Sequence, residues 1–315
     1  MKKIWGFFTV LLLICTAGFF LLFYRSEPDE KDGYRIAAVM PASTGHFWEG
    51  VWRGVETTAY ALSLRLSEYS YDTNVSEEVM TNNLEKAILS QVDGILLCSN
   101  QYSSEKSQEL LRLARDEGIK VVLCDSDAGP ELRDIFIGVD NTQAGQLGAQ
   151  KLLEQSGFDR ILLIQQSRDY VSLPTMKRQT SFKEALASSD KADKVVEFQL
   201  SENDDTYYQT VQQLLMTDGS GNAVVCFNAS STLLAAQTVK RLNLEEEVLL
   251  LGFCETAEAF QYVESGVIDI LITQDTEGLG RMGVEKLEEL LSGQTPDLDT
   301  YYVDMKIVTK ENIDR

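Results

Sequence analysis

The chain has 315 residues, 44% of them hydrophobic and 24% charged, which is enough apolar material for two packed domains and far from the composition of a disordered chain. Its formal net charge of −21 repels phosphate backbones and anionic lipid headgroups, so nucleic acid is excluded as a natural partner. With one histidine, His46, no C-x-x-C pair and no zinc-type spacing, neither a metal nor an organic cofactor is expected.

The amino terminus reads as a membrane anchor. Ile4 to Phe23 is a run of twenty residues without a charge, which is bilayer length when helical, so residues 4–24 are expected to span and residues 25–33 to link. A cleaved signal peptide is the rival reading. Cleavage after Thr16-Ala17-Gly18 would leave Phe19–Phe23 as an apolar terminus, and Ile14 before Cys15 lacks the small residue a lipoprotein signal needs. An uncleaved single-pass anchor is favoured, with the short Met1-Lys2-Lys3 leader in the cytoplasm and the rest extracellular.

Beyond Gly33 the chain alternates between two patterns. Strand-like apolar runs are expected at Ile36–Met40, Gly94–Cys98, Ile119–Cys124, Ile135–Val139, Ile161–Ile164, Val195–Phe198, Ala223–Phe227, Val248–Phe253 and Ile268–Thr273. Helical patterns lie between them, the first over Trp48–Leu66 with Val51, Val55, Ala59, Leu62 and Leu66 on one stripe. Fully apolar strands separated by amphipathic helices predict an α/β fold of two doubly wound parallel-sheet lobes. Cys98, Cys124, Cys226 and Cys254 each stand at or near the end of an apolar run and read as unpaired core thiols, with a disulfide or thiol switch as the other reading.

In such sheets ligands bind beyond the carboxyl ends of the strands. The residues there include Phe47-Trp48, Ser99, Asp125-Ser126-Asp127, Asp140-Asn141, Asn228, Cys254-Glu255 and Gln274. Amides, hydroxyls and carboxylates beside an aromatic pair suit a sugar, whose hydroxyls take paired hydrogen bonds and whose C–H faces pack on rings.

Seven segments, taken in order, resemble the ribose-binding-protein-like family of type I periplasmic binding proteins. They are IAAVMPASTGHFWEGVWRGVETTA, KVVLCDSD, DIFIGVDNTQAGQLGAQKL, MKRQTSFKEAL, AVVCFNASSTLLAAQTVK, LLLGFCETAEAF and ITQDTEGLGRMGVEKL. The resemblance covers about residues 35–310 and implies a hinge of three chain crossings. It puts ligand contacts at Phe47, Trp48, Asp125, Arg178, Asn228 and Gln274, with Ser99, Asn141, Cys254 and Glu255 as further candidates. Four positions depart from the family pattern: Ser181 stands for a glycine, and three polar contacts are replaced, with Gly45 for an asparagine, Ser126 for an arginine and Cys254 for an aspartate. Glu255 offers a carboxylate next to Cys254, but strand alternation is expected to aim it elsewhere.

The implied lobes are residues 34–139 with 275–302, and 140–274 with 303–315. Gly278-Leu279-Gly280-Arg281-Met282-Gly283 spells a dinucleotide fingerprint, but it lies too near the end of the chain to open a nucleotide-binding half. No G-x-S-x-G, H-E-x-x-H or phosphate loop occurs, and an enzyme is not expected. The expected function is binding of a monosaccharide, with a pentose such as xylose among the candidates. The closed form would be presented to a membrane sensor histidine kinase or, alternatively, to the permease of an ABC importer. The expected anchor and short linker resemble those of anchored xylose-sensing proteins and favour the kinase.

Overall fold

Two six-stranded sheets organise the protein. The structure, a computed structural model, describes residues 33–42, 46–72, 77–99, 104–166, 172–200, 207–217 and 222–313. The expected anchor, Cys15 and nearly all of the expected linker lie outside the described residues, and among the described residues no helix is long and apolar enough to cross a membrane.

The first sheet contains β1 (Arg35–Pro41), β2 (Arg65–Tyr71), β3 (Gly94–Cys98), β4 (Lys120–Cys124), β5 (Ile135–Gly138) and, from far along the chain, β11 (Thr300–Tyr302). Its order is β11-β5-β4-β3-β1-β2, all parallel. The second contains β6 (Arg160–Gln166), β7 (Val195–Leu200), β8 (Asn222–Cys226), β9 (Val248–Phe253), β10 (Ile270–Gln274) and β12 (Met305–Val308). Its order, β12-β10-β9-β8-β6-β7, repeats the first, except that β12 runs antiparallel to β10. The chain therefore passes between sheets three times: after β5, after β10, and between β11 and β12. Both sheets reverse direction of winding at the strand that begins them, β1 and β6, which is where doubly wound sheets open a crevice.

Each sheet is covered on both faces, which explains its nearly unbroken apolar strands. In β1, Ile36, Ala38 and Met40 face α1 (His46–Ala61) and α9 (Thr276–Leu291), while Ala37 and Val39 face α2 (Glu77–Leu89) and α3 (Glu105–Asp116). The second sheet packs α4 (Asn141–Leu153) and α5 (Leu173–Ala187) on one face, and α6 (Tyr207–Thr217), α7 (Ala229–Leu242) and α8 (Ala257–Glu264) on the other.

One expectation is corrected here. The helix expected over Trp48–Leu66 stops at Ala61, and Arg65–Tyr71 forms the edge strand β2. Ser63, at φ +55°, ends the helix with its N–H on the Tyr60 carbonyl and the Leu64 N–H on the Ala59 carbonyl. This is a left-handed cap normally announced by glycine. Leu62, expected on the buried stripe, is 40% exposed.

The glycines of the literal G-x-G-x-x-G serve helix packing instead of a nucleotide. A Cβ at Gly280 would stand 2.0 Å from the Val51 carbonyl of α1, and one at Gly54 would stand 2.1 Å from the Glu277 carbonyl of α9. One at Gly283 would meet Leu96 of β3 at 2.9 Å. Gly280→Ala is expected to push α9 off α1 and cost about 1–3 kcal/mol. An unchanged urea midpoint would show that the two helices separate without loss.

The start of β11 is tied down by Arg133, a buried guanidinium beyond β4. It pairs with Asp127 at 2.7 and 3.0 Å and donates to the Asp299 carbonyl at 2.6 Å and to Thr300 Oγ1 at 3.1 Å. Burial pushes the Asp127 pKa up, but the Arg133 contacts and the Gly129 N–H outweigh it and hold that carboxyl below its ordinary range.

Candidate functional site

Asp125 is the first residue past β4. It sits at φ +71°, a left-handed conformation that non-glycine residues seldom adopt outside functional or turn positions. Its N–H bonds the Ile137 carbonyl of the neighbouring β5, which holds the turn. Burial pushes its carboxyl up to about 7, against the pull of the Arg178 charge, and the Glu255 carboxylate adds to the rise.

Arg178 lies in the second turn of α5 and is 7% exposed. Its Nε and Nη2 donate to Asn141 Oδ1 at 3.1 and 2.8 Å, and its Nη1 donates to the Phe227 carbonyl at 2.9 Å. The guanidinium carbon lies 4.7 Å from the centre of the Phe253 ring, a cation–π contact. Burial lowers its pKa, while Glu255 and Asp125 raise it. Asn141, the first residue of α4, also donates from Nδ2 to the Val139 carbonyl at 3.1 Å. Both of its polar atoms are thus used within the protein, and its task is to aim Arg178. α4 and α5 come close enough for this because Gly145 leaves room: a Cβ there would stand 2.2 Å from the Arg178 carbonyl.

Cys254 and Glu255 exchange the roles that strand alternation assigns them. Cys254 is wholly buried in the second sheet's core, its thiol 3.3 Å from Thr256 Oγ1 and pushed up to about 11 by burial. Glu255 faces Arg178 instead. Its carboxyl rises to about 7 through burial, opposed by Arg178 and by a hydrogen bond from Gln274. The alternation argument fails because β9 ends at Phe253, so the pleat no longer sets the direction two residues later.

The structure thus brings Asp125, Arg178, Asn141, Glu255 and Gln274 together from both sheets. Among the described residues no direct ion pair joins Arg178 to either carboxylate, so one guanidinium faces two carboxylates without contact. Asn228 caps α7: its Oδ1 accepts from the Ser231 N–H at 2.9 Å and from the Ser231 hydroxyl at 2.8 Å. Ser99, buried beyond β3, hydrogen-bonds the Tyr71 phenol. Tyr71 is a member of this region that the sequence did not reveal. It ends the edge strand β2, donates to the Cys98 carbonyl at 2.7 Å, and has its pKa raised by burial and by nearby Asp125. Of the aromatic pair, Trp48 is 8% exposed in the first sheet's core, while half-buried Phe47 lies against it edge to face at 4.7 Å and 89°. Cys98 and Cys124 are in register on adjacent strands, and the four described cysteines are all buried and free.

Residues 36–295 match the family model described as the periplasmic binding protein domain. The ribose import binding protein RbsB of Haemophilus influenzae is 26% identical over 216 residues, which are 68% of this chain and 72% of that protein. A carbohydrate transporter solute binding protein from Agrobacterium radiobacter, solved in complex with D-arabinose, superimposes with a TM-score of 0.76 at 18% identity, covering 90% of this chain and 97% of that one. A chain of the XylFII–LytSN complex gives 0.76 at 20% identity, covering 89% and 99%. The match to the family model spans most of the chain and both sheets, and it is this extent that decides the matter: the protein belongs to the periplasmic binding protein family, whose members bind solutes outside the cytoplasm rather than transform them.

Proposed function

We propose that the protein captures a neutral monosaccharide unit, of the pentose class, between two lobes and presents the closed form to a membrane partner. The observation that carries this reading is the Arg178 guanidinium, fixed by Asn141 and Phe227, opposite Asp125 from one sheet and Glu255 from the other. A polyhydroxyl ligand bridges such a set, accepting from Arg178 and donating to both carboxylates. The Asn228 oxygen is spent on its helix cap, so its amide nitrogen is the donor offered to ligand, and Phe47 is the ring offered for stacking. The names of the ribose and arabinose relatives support a pentose.

The lobes comprise residues 34–139 with 275–302 and residues 140–274 with 303–315, and the three crossings form the hinge. A ligand that touches both sheets lowers the energy of the closed arrangement only, and a partner that prefers that arrangement responds to it. Calorimetry against a panel of pentoses and hexoses tests the binding. We expect a pentose to bind, and Asn228→Ala to weaken it by about 1–3 kcal/mol. Tight binding of an amino acid or nucleoside with no sugar bound would overturn the reading.

The partner is a sensor histidine kinase, with residues 4–24 as the anchor. A short linker keeps the lobes beside the membrane and raises their concentration near such a partner. The complex of XylFII with LytSN supports a signalling assembly, whereas RbsB, an import protein, supports delivery to an ABC permease. Deletion of the gene separates them. With the transporter expressed from an independent promoter, we expect sugar-induced transcription to vanish and uptake to persist. Loss of uptake would make the protein a transport component.

A further inference from the structure

Beside the charged cluster, sharing only Asp125 and Asn141 with it, lies a cavity of about 520 Å³. This is within the size range of small-molecule sites, roughly 300–1,000 Å³. It borders Asp125 and Asn141 on the cluster side and continues past the β5–α4 crossing. One wall is Ser126, Phe136 and Tyr302, and the other is the face of α5 that carries Met176, Lys177 and Thr180.

Two features of this cavity point to a ligand. The Ser126 hydroxyl is buried, its residue 1% exposed, and has no hydrogen-bond partner among the described residues. Such a group is costly unless something satisfies it; Ser126 lines the cavity, and a turn of its side chain brings the hydroxyl to a ligand there. The walls also combine polar and apolar surface: Tyr302, Leu173 and Met176 are 51%, 44% and 49% exposed next to hydroxyls and charges. That mixture fits the faces and edges of a sugar ring.

Charge narrows the class. Among the described residues, Asp125, Asp127, Asp140 and Glu184 border the cavity against a single Lys177, so a phosphate or uronate is disfavoured and a neutral unit fits. Asp127 is engaged by Arg133, and Asp140 caps α4 through the Gln143 N–H at 2.9 Å, so neither needs a cation.

We propose that the bound ligand is a neutral disaccharide or short oligosaccharide: one ring lies at the Asp125–Arg178–Glu255 cluster and the next occupies this cavity against Ser126 and α5. This rests on the sugar reading above and changes only the length of the sugar. Because the cavity spans the first crossing, a ligand filling it touches residues on both sides of the hinge.

The test is calorimetry of the full-length chain with xylose, arabinose and ribose, and with xylobiose and arabinobiose. We expect a disaccharide to bind at least about tenfold tighter than its monosaccharide. Thr180 is exposed on α5, so Thr180→Trp narrows the cavity without entering the core, and it is expected to erase that preference. Ser126→Ala is expected to reduce it several-fold, with thermal melts confirming that both variants fold. Monosaccharides that bind as tightly as disaccharides would overturn this proposal and leave the sugar reading standing. A disaccharide preference that both variants leave intact would place the second ring elsewhere and overturn the cavity assignment. No binding of any sugar would overturn the sugar reading, and this proposal with it.

Discussion

Replacing Arg178 with methionine is expected to lower stability by about 3–5 kcal/mol at about pH 8 and to remove sugar binding. Among the described residues the Arg178 guanidinium is the positive group that pulls both the Asp125 and the Glu255 pKa down, and without it the two carboxylates repel each other in a poorly solvated space. Asn141 Oδ1 and the Phe227 carbonyl would lose their donor at the same time. The loss should shrink on acidification. Both carboxyls already rise to about 7 from 3.8 and 4.5, and losing Arg178 pushes them higher, so at low pH they protonate and the repulsion disappears. Urea denaturation of both proteins at about pH 5.5 and about pH 8 measures this difference. An equal loss at both pH values would mean that Arg178 acts through packing and its neutral hydrogen bonds, not through charge.

Asp125→Asn is expected to act in opposite directions on stability and on binding. The Asp125 carboxyl takes up protons more readily in the folded than in the unfolded chain, its pKa rising from 3.8 to about 7. A raised acid contributes fully below its unfolded pKa and loses that contribution as pH climbs through the folded one, here between about 4 and 7. At pH 8 the ionised group therefore burdens the unliganded protein. Asparagine removes that burden, leaves Arg178 facing the single carboxylate of Glu255, and tolerates the left-handed backbone at φ +71°. We expect a gain of about 2 kcal/mol at about pH 8, well below the limit of roughly 4 kcal/mol that a rise from 3.8 to about 7 sets at about 1.4 kcal/mol per unit, because the buried amide itself needs hydrogen-bond partners. At about pH 5 little change is expected. Sugar affinity should fall by at least about tenfold, because a carboxylate acceptor becomes a neutral amide. A variant less stable than the parent at high pH would show that the Asp125 charge is compensated in the unliganded protein. Stability given up at a binding residue is a common trade.

Much of the fold was legible because parallel strands covered on both faces must be apolar on both, so β1, β3, β4, β8 and β9 stand out as unbroken runs. The candidate site was legible for a related reason: each such run ends at the crevice, so Ser99, Asp125, Asn228 and Gln274 are located by where hydrophobicity stops. β2 was not legible. It is an edge strand with little burial, and its polar RLSEYSY pattern follows a helix whose stop is made by Ser63 in a conformation that glycine usually signals. Tyr71 was lost with it.

The amino-acid sequence by itself determined the α/β class, the two successive sets of strand–helix units, the ends of strands where a ligand meets the protein, and a net charge that turns anions away. Tertiary structure alone decided which of those ends converge. Asp125 leaves the first sheet, Arg178 comes from a helix over the second, and Glu255 follows the third strand after that helix, yet the three share one electrostatic neighbourhood. It also decided that Glu255 and not Cys254 faces Arg178, that Asn141 orients the arginine, and that Gly280 makes room for α1. The physical reason is range. Hydrophobic period and strand-end position are local properties of a chain, whereas the direction of a side chain beyond a strand, and the charge it meets there, depend on what another part of the chain packs against it.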